Sequence, residues 1–120
     1  MPARNDAALA SRRSRPAKLF TGPVPPRDEL VEILTAATRV PDHGKLEPWR
    51  LVVLQGAAFQ RLADLAEARA QELGGDAEKI AKGRGQYDLG KLAVVVIASP
   101  KPSAKIPPVE QLLSAGALCY

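Results

Sequence analysis

Residues 92 to 99 read LAVVVIAS, with three consecutive valines followed by an isoleucine. β-Branched side chains lose rotamer freedom in a helix and fit the pleated surface of a strand. An apolar run without alternation has no side to turn to water, so this one predicts a strand covered on both faces. A second run of the same kind, WRLVVL at residues 49 to 54, is bounded by Pro48 and Gly56. Strands are therefore expected over residues 49 to 54 and 92 to 98, in one sheet, with the intervening sequence supplying helices.

Those helices show in the change of hydrophobic period. In RDELVEILTAATRV, Leu30, Ile33, Leu34 and Ala37 recur at helical spacing, and Asp28 and Glu29 lie at the positive end of the dipole. Pro41 disfavours helical angles at Val40, so a helix is predicted over residues 28 to 40. A second, over residues 58 to 73, carries Phe59, Leu62, Ala63, Ala66, Ala70 and Leu73 on one face and stops at Gly74-Gly75. Asp76 is a suitable N-cap for a third, expected to fray through Gly83 and Gly85. VEQLLSAGALCY opens a fourth with Val109, Leu112, Leu113 and Gly116 on one face. A short helix is expected over residues 7 to 14, and the prolines of PAKLFTGPVPP forbid regular structure after it.

Two strands make an incomplete sheet, and the last helix is still apolar where Tyr120 is reached. The expectation is one domain over residues 1 to 120, with residues 1 to 10 flexible and the C-terminal part of the domain missing. Expressed alone, such a chain should expose apolar surface, aggregate and be catalytically silent.

A chain of 120 residues buries about 65% of its unfolded surface, enough for a modest core. Aromatic residues are only 4%, so that core must be aliphatic. The net charge of +4 admits an anionic ligand, a phosphate-bearing cofactor or a nucleic acid, without choosing between them. The one cysteine, Cys119, excludes an internal disulfide and a multi-cysteine metal site, reads as a small buried apolar residue, and fits a cytoplasmic location. No apolar run is long enough to span a membrane, and the N-terminus lacks the apolar stretch of a secretory signal.

Few residues carry chemistry. SRRSR, residues 11 to 15, gathers three guanidinium groups and two hydroxyls, a donor set suited to a terminal phosphate or simply to water. Arg39 stands at a helix C-terminus, where the dipole alone explains a cation. His43, the only histidine, lies in a polar turn beside Asp42, a candidate acceptor for its backbone or ring. One Asp and one His are too few for a metal site, and on these residues alone a structural turn histidine is the favoured reading of His43. GRG at residues 83 to 85 is too short for a phosphate loop, and Ser114 lacks the nucleophile-elbow pattern. No catalytic side chain and no metal site is expected.

Taken in order along the chain, RRSRPAK, ELVEILTAATRVPDHGKLEPWRLVVL, LAVVVIAS and KIPPVEQLLSAGA resemble the nitroreductase family of flavin-dependent oxidoreductases. The likeness is to the small NAD(P)H nitroreductases that carry D-H after the first helix. It covers the chain from about Ser11 onward. Glu47 before Pro48-Trp49, and the lack of A-P before the second strand, depart from the pattern.

The resemblance implies an α+β sandwich, a central mixed or antiparallel sheet flanked by helices and incomplete in this chain. It also implies a homodimer holding FMN at the subunit interface. Arg12, Arg13 and Ser14 would hold the phosphate and ribityl chain, while Arg39 and His43 would reach the flavin bound mainly to the other subunit. NAD(P)H would be the electron donor and a nitroaromatic, quinone or similar compound the acceptor, with no nucleic acid and no membrane involved. The alternative on composition is a small basic module binding a nucleic acid or another polyanion. Scarce aromatics and the lack of a recognisable motif count against it.

Overall fold

The computed structural model describes residues 10–120. Of the helix expected over residues 7 to 14, residues 7–9 lie outside the described residues. Ala10 and Ser11 are helical, and residues 12–16 carry no regular structure. The fold is α+β. Helix α1 (Arg27–Ala37) leads through a short turn into strand β1 (Trp49–Gln55). Helices α2 (Ala57–Glu72) and α3 (Ala77–Asp88) form a hairpin before strand β2 (Leu92–Ala98), and helix α4 (Pro108–Leu118) follows.

The two strands pair antiparallel, with Trp49 opposite Ala98, Val52 opposite Val95 and Gln55 opposite Leu92. Ser99 N–H donates to Pro48 O at 2.8 Å, carrying the pairing one step past the strand ends. The sheet is not covered on both faces. Val96 and Ala98 share a hollow with Leu112 and Ala115 of α4. Val95 and Ile97, on the opposite face, are exposed. Helices α2 and α3 pack mainly on each other.

Helix α1 ends three residues before the expected boundary. Thr38 caps it, its N–H donating to Leu34 O and its hydroxyl to Thr35 O. The side chain thus offers the backbone an alternative to another helical turn. Helix α3 keeps its geometry to Asp88 and does not fray at Gly83 and Gly85. Asp76 caps its start by accepting Lys79 N–H at 2.9 Å. Between the two glycines, Arg84 donates to Asp64 (2.8 Å) and Glu67 (2.6 Å) on α2 and pairs with Asp88 (3.1 Å) on its own helix. These tertiary contacts override the poor propensity of two glycines.

Helix α4 buries Gln111, Ala115 and Leu118, whereas Val109, Leu112 and Leu113 are exposed. The expected apolar stripe is therefore not the face that packs. Apolar residues nearly encircle this helix, so periodicity alone cannot choose a side. Cys119 is exposed and is not the buried residue its type suggests; its thiol donates weakly to Ala115 O at 3.5 Å.

Candidate functional site

The turn after α1 is built by backbone that few residue types adopt. Gly44, Lys45 and Glu47 all have positive φ, at 72°, 51° and 47°. Asp42 steadies the turn: one carboxylate oxygen accepts Glu47 N–H at 2.8 Å, and its carbonyl accepts Lys45 N–H at 3.0 Å. Asp42 therefore serves Glu47 and Lys45 in the turn, not the backbone or ring of His43. Its second carboxylate oxygen is buried without a partner among the described residues. Pro48 is fully buried behind the turn, and Trp49 is half-buried. Burial of Pro48 fixes where the turn delivers the chain into β1.

The loop between β2 and α4 backs onto this turn. Gln111, 3% exposed, holds that loop. Its side-chain oxygen accepts Lys101 N–H at 2.7 Å, and its amide nitrogen donates to Lys101 O (2.9 Å) and Ile106 O (3.3 Å). A buried polar side chain satisfied in this way sets the loop and the start of α4 relative to one another. Ile106, also buried, lies against Gly44.

On that foundation His43 meets Glu110. The imidazole Nδ1 lies 2.6 Å from Glu110 Oε1, across 67 positions of sequence. His43, Glu110, Pro41, Leu113, Ser114 and Ala117 line one hollow of about 320 Å³. Arg39 lines a different one, of about 690 Å³, with Thr35, Thr38, Asp42, Lys45 and Trp49. The turn thus presents Arg39 and His43 to two neighbouring hollows. Arg39 is exposed and makes no ion pair among the described residues.

Arg12, Arg13 and Ser14 are exposed. The Arg12 guanidinium carbon sits 4.6 Å from the ring centroid of Tyr120, just beyond the end of α4. Glu110, which holds His43, is in the first turn of the same helix. Ten residues at a rise of about 1.5 Å put the two groups on the order of 15 Å apart along α4. Arg12 and His43 thus meet residues at opposite ends of α4.

Sequence reasoning missed Glu110, Gln111 and Tyr120 as companions of these residues. EQLLSAG marks where Glu110 and Gln111 occur, but nothing local shows that one reaches a histidine and the other a loop. Tyr120 gives no signal of its own.

Guanidinium groups suit phosphate, whereas the buried unpaired oxygen of Asp42 can only accept a hydrogen bond. Residues 9–119 match the sequence model of the nitroreductase family. The chain belongs to the nitroreductase family.

Relatives of this nitroreductase-family chain include a "Putative NAD(P)H nitroreductase" of Haemophilus influenzae, 35% identical over 93% of this chain and 60% of that protein. "Putative NAD(P)H nitroreductase YdjA" of Escherichia coli K12 is 34% identical over 90% of this chain and 58% of its own length. The chain thus spans less than two thirds of either relative. A nitroreductase-like protein from Bacillus cereus shares the fold at a TM-score of 0.68 and 23% identity, across 93% of this chain and 58% of that one. No helix among the described residues is long and apolar enough to cross a membrane.

Proposed function

We propose that this chain supplies the N-terminal part of a cytoplasmic FMN-dependent oxidoreductase, active as a homodimer, that uses NAD(P)H to reduce a nitroaromatic, quinone or similar acceptor. The observation that carries the proposal, beside the family itself, is the separation of the two donor sets along α4. Arg12 lies on Tyr120; His43 lies at Glu110. That the two sets reach one flavin from two copies of the chain is what the family likeness implies.

The flavin would supply the redox chemistry, taking hydride from the nicotinamide and passing electrons to the acceptor. Arg12 and Arg13 would bind its phosphate as charge-assisted donors, with the Ser14 hydroxyl adding a compact third donor. Arg39 and His43, on the turn braced by Asp42, would contact the flavin held chiefly by the other copy. No proton-transferring dyad is required of the protein, whose part is to position and to set the local field.

The test is flavin titration of the full-length protein. Arg12→Ala with Ser14→Ala should weaken FMN binding, each lost charge-assisted bond costing about 1.5–3 kcal/mol. His43→Ala should weaken it as well. Refolding the two variants together should then restore one intact site per mixed dimer. Unchanged affinity in the double variant would sink the phosphate role, and no recovery on mixing would sink the shared site.

A further inference from the structure

We propose that Glu110 is a positioning residue that fixes the tautomer of His43, so that Nδ1 carries the proton and Nε2 is presented to the ligand as a hydrogen-bond acceptor. An ionised carboxylate only accepts, so the 2.6 Å contact places a hydrogen on Nδ1. In the neutral imidazole Nε2 then holds the lone pair, and it has no partner among the described residues. The group it meets must accordingly be an N–H or O–H. An imidazole left to itself favours the opposite tautomer, with the proton on Nε2, and would repel the same group by setting donor against donor.

Three features make the contact a built arrangement. Gly44, next to the histidine, is packed on the buried Ile106, so the turn lies directly against the loop before α4. Gln111, next to the glutamate, ties that loop to α4 through three hydrogen bonds and is almost wholly buried. Ring and carboxylate also line the same hollow, which places the pair at a concave surface. The alternative for Glu110 is a first-turn acid serving only the helix dipole, which would leave the ring's tautomer untouched.

The first half of this inference stands without the flavin; the second, that the acceptor at Nε2 meets the cofactor, rests on the function proposed above. The experiment separates them. Side-chain ¹⁵N and ¹³Cδ2 shifts of His43 are recorded in the full-length protein at a pH where imidazole is neutral, for wild type, Glu110→Ala and Glu110→Gln. The wild type should show the proton on Nδ1 and Glu110→Ala should show it on Nε2. The isosteric Glu110→Gln, whose amide can accept or donate, should show a mixture. FMN affinity should fall about fivefold in Glu110→Ala, as for one neutral hydrogen bond lost, and recover in part in Glu110→Gln. A wild-type ring protonated on Nε2, or one tautomer common to all three proteins, overturns the inference. A tautomer that switches as expected while FMN affinity stays level sustains the positioning role and overturns only the cofactor contact.

Discussion

Gly44 backs onto Ile106 so closely that a Cβ at residue 44 would stand 2.5 Å from Ile106 Cδ1. The same glycine has φ at +72°, where any other residue is strained. One position thus joins a tight turn to the loop before α4, and through them His43 to Glu110.

Gly44→Ala should destabilise the fold by about 1–3 kcal/mol, combining backbone strain with displacement of the isoleucine tip. The midpoint of urea unfolding measures it. A variant as stable as the wild type would show that the turn is free to move.

Gly90 stands against the Phe59 ring in the same manner, and a Cβ there would overlap the ring atoms. A ring has no flexible end to move aside, and Phe59 is buried at 8% exposure. Gly90→Ala should cost about 1–3 kcal/mol by overpacking, read from thermal unfolding. Gly85→Ala, with open space around its Cβ, should be neutral or stabilising.

Gln111→Ala would strip three backbone groups of their partners at a buried site. Each buried group left unmade costs about 1–3 kcal/mol, so the whole should exceed about 2 kcal/mol. Amide exchange at Lys101 should accelerate at the same time. Unchanged protection there would mean that the loop is held by other contacts.

Arg84 links α2 to α3, and its hydrogen bond holds the Asp64 carboxyl below its ordinary value of 3.8, partly offset by desolvation. A carboxylate whose folded value is lowered stabilises the fold above its unfolded value, and that stability is lost as pH falls through the folded value. Arg84→Met should therefore be less stable than wild type at neutral pH, and the gap should close as pH falls below about 3.8. The group is at the surface, so the gap should also shrink in high salt. A gap independent of pH and salt would point to lost packing of the arginine stem in place of lost charge.

The sequence by itself determined the elements. Three valines in succession favour a strand, Gly74 supplies the positive φ that follows α2, and Asp76 caps the backbone three residues ahead. These effects act over a few residues and need no partner. The ordered motifs from RRS to EQLLSAG likewise carried the family, because they survive as strings.

The tertiary structure decided which faces pack and who meets whom. Helix α4 is apolar nearly all round, and only the backbone groups of Lys101 and Ile106 make Gln111 the inward residue. Helix α3 holds at Gly83 and Gly85 because three carboxylates surround Arg84, two of them on another helix. His43 acquires a partner 67 positions away, which no local pattern encodes. Arg12 meets Tyr120 beyond one end of α4 while His43 meets Glu110 at the other, a separation that only the folded chain reveals. Local propensity fixes angles over a turn or two; a functional contact is set by where rigid elements come to rest against each other.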